Sequence, residues 1–428
     1  MGYTSTPIRP PVADTAVPAS DRTERPLGGT ETMFAMSGTA ITYYALADGA
    51  LDPLVMRRAF AALAEHNPVL CGSITVEGEQ FVLRRGRPRP LPFSVAAGDP
   101  GQWFAGWSQA VDQTRDLARL DVVTDDHRTA VGLTVHHAIA DGRAGFALLG
   151  ELWSAYTELL SDRHLDRAVR AFPRSLETAI PSVAGQPADP PDLAAFTDLP
   201  RSPLTGAASV QGQFAIELTT AQTAALRDDA RSQGVSVHGL LSGATLAAER
   251  SLIEGDGPEL LLTSSAVDLR ASLPKPMAPL DGTNIIAVIP DAIVVDPSTP
   301  PAEVGRAVVD RINAERTSAT VLSRSLLAPI DLNLLLAAPP MSFITNVGRV
   351  SAMATPPGVE ITDLRFAFPN QVTKSLTYVV TGWQDRLRID VLHPLLGLPP
   401  TRAEELRAAL ATLLGAGPTG SAQPPVQA

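Results

Sequence analysis

The chain has 428 residues, 45% of them hydrophobic and 18% charged, a composition typical of a folded protein with room for two domains. A net charge of -11 argues against a nucleic-acid-binding protein, because such proteins present a basic face to phosphates. The single cysteine, Cys71, excludes an intrachain disulfide and fits a cytoplasmic protein. No apolar stretch is long enough for a transmembrane segment, which needs about 20 residues.

The first half of the chain alternates between strand-like and helix-like segments. Residues 4–25 are rich in Pro, Thr, Ala and Ser without periodicity, which predicts a mobile arm. Ala40–Leu46 is strand-like, and Asp52 followed by Pro53 provides an N-cap and a first helical residue for a helix that ends before Pro68. A hairpin is predicted from residues 69–76 and 80–83.

Arg84–Arg89 holds four arginines and is the densest basic run in this acidic chain. A solvated loop explains such a run adequately. The alternative is a docking patch for an acidic partner such as a carrier protein.

Two adjacent histidines, His136 and His137, end an apolar strand-like run that begins at Val131. Asp141-Gly142 then marks a turn, and an amphipathic helix with apolar positions at helical spacing follows as far as Leu160. Because successive strand residues point to opposite faces, only one of the two imidazoles faces any given channel.

The second half follows a proline-rich stretch, residues 171–203, that predicts a long crossover. Thr219, Ser236 and Thr401 are each placed to cap a helix. The remaining pattern predicts strands near residues 213–218, 260–267, 284–289, 342–349, 359–368, 376–381 and 387–392, and a helix over 301–316. The fold class is therefore α/β or α+β in two halves of similar size.

Three interpretations compete for the histidine pair. A metal site requires three or four suitable ligands, and the other five histidines show no ligand spacing, so no metal is expected. A histidine satisfied within the core is the second interpretation. The third is a general base, since an imidazole titrates near neutrality and the pair lies where a strand leaves its sheet.

His136-His137-Ala-Ile-Ala-Asp141-Gly142 resembles the HHxxxDG motif of the condensation-domain and chloramphenicol-acetyltransferase-like acyltransferases. Flanking segments extend the similarity to the stand-alone polyketide-associated branch, which includes the phthiocerol/phthiodiolone dimycocerosyl transferases. These segments are Arg25–Phe34, Ala59–Leu70, Val267–Arg270, Gly282–Asn284 and Thr345–Arg349, so the resemblance extends from about Arg25 to Gly415.

The resemblance implies that His137 is the catalytic base, which takes the proton of an acceptor hydroxyl as that hydroxyl attacks an acyl thioester. His136 packs or hydrogen-bonds on the other face, and Asp141 forms an ion pair that holds the loop. The family's usual arginine partner is replaced by Cys71, which leaves the partner of Asp141 open, with Arg270 as the substitute candidate.

Gly142 and three residues of the second half, Asn346, Gly348 and Arg349, each have two interpretations. Gly142 either lets the backbone approach the pantetheine arm or simply permits a turn. The family's DFGWG motif is absent, and Thr345–Arg349 occupies that region. Asn346 and Gly348 then shape a substrate channel and Arg349 binds a phosphate or closes a salt bridge, unless all three form only a strand end and a turn.

The resemblance also implies the domain plan and the partners. Two acyltransferase subdomains, residues 26–170 and 211–415, form a V with an interface channel, between the arm (1–25), the crossover (171–210) and a flexible tail (416–428). The expected protein is a monomer with no bound cofactor, whose co-substrate is acyl-phosphopantetheine on a carrier protein or polyketide synthase carrier domain, or acyl-CoA. The acceptor is a hydroxyl of a lipid or polyketide-type molecule.

Two rival functions remain open from the sequence. One is amide formation of the nonribosomal-peptide type, which the missing DFGWG motif and the absence of fused carrier domains disfavour. The other is a non-catalytic homologue that recruits carrier proteins, which the intact HHxxxDG motif disfavours.

Overall fold

The computed structural model of the chain describes residues 23–101, 110–125, 127–161, 163, 165, 167–179, 204, 209–273, 275–317, 341–368 and 372–416. All of the predicted tail except residue 416, and most of the predicted arm and crossover, lie outside these residues. None of the described helices combines the length and the apolar character that a bilayer crossing requires.

Helices and strands alternate irregularly along the described residues, as the sequence predicts. Helices α1 to α8 span Gly29–Ser37, Pro53–His66, Gly142–Leu160, Leu176–Ala179, Thr220–Ser232, Val237–Ser251, Pro301–Thr317 and Pro400–Leu413. Strands β1 to β15 span Glu24–Pro26, Ala40–Asp48, Ser73–Glu77, Gln80–Arg84, Phe93–Ala97, Ala118–Thr124, Arg128–His136, Ser209–Leu218, Glu259–Asp268, Ile286–Val295, Ser342–Arg349, Glu360–Ala367, Val372–Thr373, Thr377–Trp383 and Arg386–Pro394.

The strands form three sheets. A five-stranded sheet in the order β12-β2-β7-β6-β5 carries His136 at the end of β7, and a three-stranded sheet has the order β1-β4-β3. The third sheet has seven strands in the order β10-β9-β11-β14-β15-β8-β13. This mixed α/β architecture confirms the predicted fold class.

Strand β12 crosses from the second half of the chain into the first. It pairs antiparallel with β2, with Phe366 opposite Tyr43 and Ala367 opposite Thr42. Phe366 packs in the same apolar cluster as Tyr43 and Phe146. The predicted C-terminal subdomain of residues 211–415 is therefore not a self-contained unit, because one of its strands completes the sheet that carries the histidines.

The local helix signals are confirmed at three of the four predicted caps and wrong at one. Thr219 accepts the backbone N–H of Gln222 at 3.3 Å, and the Gln222 side chain bonds back to the Thr219 N–H in a capping box. Asp52 accepts the backbone N–H of Leu54 at 2.8 Å, and Ser236 accepts that of Gly239 at 3.1 Å. The last helix instead begins at Pro400, one residue before Thr401, with Pro399 as its N-cap and no side-chain cap bond. Proline is well placed at the first helical position because its missing N–H has no partner there in any helix.

The predicted arm ends earlier than residue 25. Glu24–Pro26 forms β1 against β4, and the Arg25 side chain is buried in an ion pair with Glu31. Buried polar groups need such partners, and the partner of Arg25 lies on α1, a helix that the apolar periodicity does not reveal. Likewise the strand predicted from residue 69 begins only at Ser73, after a single 3-10 turn over Pro68–Cys71.

The basic run from Arg84 to Arg89 is partly neutralised by neighbours. Arg84 pairs with Glu24 at 3.1 Å and with Glu77, and Arg89 pairs with Asp116. A surface groove of about 500 Å³ is lined by Arg89, Pro90, Leu91, Pro92, Arg115 and Asp116.

Candidate active site at the end of the histidine strand

His137 is the first residue after β7 and is held by three hydrogen bonds, two to backbone carbonyls and one from a side-chain amide. Its N–H donates to the Thr39 carbonyl at 2.7 Å, and its own carbonyl accepts from Asn284 Nδ2 at 2.6 Å. Its ring Nδ1 lies 2.9 Å from the Ala140 carbonyl oxygen. Because a carbonyl oxygen only accepts, Nδ1 of the neutral ring carries the proton and Nε2 keeps the lone pair.

The electrostatics of His137 keep this ring neutral. Burial lowers its pKa from 6.5 to about 4, and the Ala140 carbonyl and the Asp141 carboxylate oppose that shift only in part. At neutral pH almost every molecule therefore has an unprotonated Nε2, which is the state that a general base needs.

His136 occupies the other face of the strand and has different surroundings. Its side chain is fully buried, and its Nδ1 accepts the backbone N–H of Ala138 at 3.2 Å. Burial, and then the neighbouring His137, lower the pKa of His136 to about 4. Its buried Nε2 meets no hydrogen-bond partner in the described part of the chain. The two adjacent histidines thus differ in exposure, as the period of a strand requires.

Asp141 joins the histidine turn to the second half of the chain. Its Oδ1 caps α3 by accepting the backbone N–H groups of Arg143 and Ala144 at 3.1 and 3.0 Å. Its Oδ2 accepts the N–H of Ile285 at 3.2 Å and lies 2.7 Å from Arg270 Nη1. The carboxylate is therefore fully engaged in structure and acts as a brace for the turn.

Arg270, the substitute candidate named from the sequence, is the arginine that pairs with Asp141. The side chains of Asp141 and Arg270 are only 4% and 5% exposed, and Arg270 also contacts Asp268 at 3.1 Å. Cys71, which stands where the family's arginine is usual, is buried instead, and its Sγ donates weakly to the Arg89 carbonyl at 3.8 Å. The cation of the ion pair thus comes from the second half of the chain.

Gly142 begins α3 and packs against β11. A Cβ atom at this position would lie 2.8 Å from Val347 Cγ2, well inside ordinary van der Waals contact. The close neighbour of Gly142 is thus a buried valine from the second half of the chain.

We expect Gly142→Ala to destabilise the protein by about 1–3 kcal/mol, the usual cost of an overpacked contact. In a Val347→Ala background the same change should cost little, because the clashing methyl group is gone. Urea unfolding of the two single variants and the double variant gives the coupling energy. Additive effects of the two substitutions would contradict this account of the glycine.

The three predicted channel residues lie at the end of β11, around an irregularity in its pairing with β14. Asn346 Oδ1 accepts the N–H of Gly348 at 2.9 Å, and Gly348 adopts a φ of 80°, a conformation that favours glycine. This local turn directs Val347 into the core beside Gly142. Arg349 is 70% exposed and lies 3.4 Å from Asp385, so it forms a surface ion pair.

Sequence reasoning assigned no role to Phe34 and Asn284, both of which contact His137. The Phe34 ring stacks on the imidazole, with ring centroids 3.7 Å apart. Asn284 is 1% exposed and holds the His137 carbonyl. Both lie in segments that resemble the acyltransferase family, and that resemblance is the only signal in the sequence that points to them. Within the described residues, no cluster of three or more His, Cys, Asp or Glu side chains could hold a metal ion.

Comparison with known proteins supports the resemblance. Residues 208–392 match the family model described as phthiocerol/phthiodiolone dimycocerosyl transferase C-terminus. The phthiocerol/phthiodiolone dimycocerosyl transferase of Mycobacterium sp. (strain JLS) is 27% identical over 369 residues, covering 80% of this chain and 86% of that protein. The enzyme of the same name from Mycobacterium leprae is 24% identical over 394 residues, covering 85% and 90%.

Solved structures share the fold. Polyketide synthase associated protein 5 from Mycobacterium tuberculosis aligns with a TM-score of 0.75 at 22% identity, covering 93% of this chain and 99% of that one. The first condensation domain of the CDA synthetase aligns with a TM-score of 0.70 at 17% identity, covering 94% and 98%. The chain therefore has the fold of the condensation-domain and chloramphenicol-acetyltransferase-like proteins, and its relatives support an acyltransferase.

Proposed function

We propose that this chain, which resembles the phthiocerol/phthiodiolone dimycocerosyl transferases along most of its length, transfers an acyl group from a thioester to a hydroxyl. The donor is an acyl-phosphopantetheine on a carrier protein, or acyl-CoA, and the acceptor is a lipid or polyketide-type alcohol. The single observation that carries the proposal is the neutral His137, whose Nε2 keeps a lone pair while Nδ1 is held by the Ala140 carbonyl.

The chemistry follows from that lone pair. An alcohol is a poor nucleophile at neutral pH, and His137 Nε2 accepts its proton as the oxygen attacks the thioester carbonyl. The resulting imidazolium returns the proton to the departing thiolate, so that an ester and a thiol are the products. The histidine is neutral again at the end of the cycle.

A direct transfer without an acyl-enzyme agrees with the surroundings of Cys71. Burial raises the pKa of the Cys71 thiol, which opposes formation of the thiolate needed for nucleophilic attack. A ternary complex of donor, acceptor and enzyme, with both substrates reaching His137 through a channel between the two halves, is the mechanism that we propose.

Purified protein supplied with acyl-thioester donors should esterify long-chain alcohols and leave matched amines unreacted. Product mass distinguishes ester from amide, and a colorimetric thiol assay reports donor consumption. Carrier-bound and CoA-bound donors, tested at equal concentration, identify the preferred source. Amide as the main product would replace this proposal with the condensation reaction, and binding of donors without any turnover would replace it with a recruiting role.

A further inference from the structure

Helix α1 places an aromatic ring directly on the proposed base. The rings of Phe34 and His137 are stacked with an interplanar angle of 24° and a centroid separation of 3.7 Å. One face of the imidazole is therefore covered by a phenyl face. Phe34 itself is half-buried, so the stack lies at the edge of the core.

The helix that carries Phe34 is anchored one turn earlier by a buried carboxylate. Glu31 is 2% exposed and accepts two hydrogen bonds from Arg25, at 2.7 and 2.6 Å. It also accepts the backbone N–H of Gly28 at 2.7 Å and the hydroxyl of Thr283. A carboxylate with this many donors fixes the start of α1 against both halves of the chain.

A second connection runs through the backbone after the helix. The Phe34 carbonyl accepts the N–H of Thr39 at 3.1 Å, and the Thr39 carbonyl accepts the N–H of His137 at 2.7 Å. Phe34 and His137 are thus joined both by their rings and by a two-step hydrogen-bond path. The position of the phenyl ring relative to the imidazole is therefore set by the fold.

We propose that Phe34 is a positioning residue, whose phenyl face fixes the plane of the His137 imidazole and stabilises the positive charge that this ring acquires during proton transfer. The hydrogen bond from Nδ1 to Ala140 fixes one atom of the ring, and the flat neighbour restricts rotation about it. This inference rests on the proposed function, since it takes His137 to be the base.

Physical chemistry favours such a role because the Ala140 carbonyl and Asp141 offset only part of the burial that disfavours the imidazolium. Burial disfavours the charged ring, and His136 beside it shares the same buried strand end. Asp141 attracts the charge, but its carboxylate is also paired with Arg270. An aromatic face carries negative quadrupole charge and attracts a cation lying over it. Phe34 therefore stabilises the imidazolium more than it stabilises the neutral imidazole.

The test compares three side chains at position 34. Phe34→Leu keeps apolar bulk over His137 but removes the aromatic face, and Phe34→Tyr keeps that face. Phe81→Leu is the matched control, because Phe81 is likewise partly buried but lies on β4. Circular dichroism establishes that each variant is folded.

In the transfer assay we expect Phe34→Leu to lower kcat by about two- to fivefold, with KM nearly unchanged. This ratio corresponds to the usual attraction between a cation and an aromatic face. Nitrogen-15 NMR of labelled histidine should show the pKa of His137 lowered by about 0.4 to 0.7 of a unit in this variant. At neutral pH its Nδ1 and Nε2 resonances should broaden or average as the ring loses its fixed orientation. Phe34→Tyr and Phe81→Leu should both match the wild type.

A His137 signal and a kcat in Phe34→Leu that equal those of the wild type would overturn the proposal. Equal losses in Phe34→Leu and Phe81→Leu would also overturn it, because they would show a general packing effect. The NMR measurement requires no turnover, so it separates this inference from the proposed function. If His137→Gln retained full activity, the proposed function would fail while the effect of Phe34 on the His137 ring remained measurable.

Discussion

Replacement of His137 by alanine is expected to lower the rate of acyl transfer by about 100- to 10,000-fold, the usual contribution of a positioned general base. The backbone bonds of His137 to Thr39 and Asn284 do not involve its side chain, so the fold should persist. Single-turnover transfer from a thioester donor to an alcohol, with the wild type measured in parallel, gives the ratio directly.

The matched control is His127→Ala, because His127 is an exposed residue in the turn before β7. This substitution should leave the rate unchanged. Donor binding should also survive in His137→Ala, since the imidazole acts on the acceptor hydroxyl. Transfer in His137→Ala at the wild-type rate would remove the histidine from the mechanism.

Arg270→Met is expected to lower the free energy of unfolding by about 3–5 kcal/mol, the cost of leaving a buried charge without its partner. Asp141 is 4% exposed, and its carboxylate would lose the cation that lies 2.7 Å away. Urea denaturation with a common slope for the variants measures the loss.

Arg349→Met removes an arginine of the same kind from a surface pair with Asp385 and should cost at most about 1 kcal/mol. The double variant Arg270→Met with Asp141→Asn should recover part of the loss, because the uncompensated charge is then absent while Asn still caps α3. If the Arg270 and Arg349 variants were equally stable, the buried ion pair would contribute no more to the free energy of unfolding than the surface pair.

The two halves of the chain meet at the histidine turn through three consecutive residues. Thr283 donates to Glu31, Asn284 donates to the His137 carbonyl, and the Ile285 N–H donates to Asp141. A short segment of the second half thus fixes α1, the base and the brace together. This explains why the residues around His137 hold their geometry although the base itself lies outside regular secondary structure.

What the sequence determines by itself is the local structure near the base. The alternation of apolar residues up to His136, the Asp141 cap and the apolar stripe of α3 are short-range signals, and each depends on residues within a few positions of one another. The strand, the turn and the helix are found where these signals predict them. The choice of His137 over His136 as the base came from the family resemblance, and it stays a prediction.

Only the tertiary structure decided which distant groups surround that base. Arg270 was named as the substitute partner of Asp141 only through the family resemblance, because an ion pair across 129 residues leaves no periodic trace in the sequence. The pairing of β12 with β2 and the stacking of Phe34 on His137 likewise join residues that are far apart in the sequence. Strand pairing and side-chain packing depend on how whole elements fit together, so a pattern read over a few residues does not contain them.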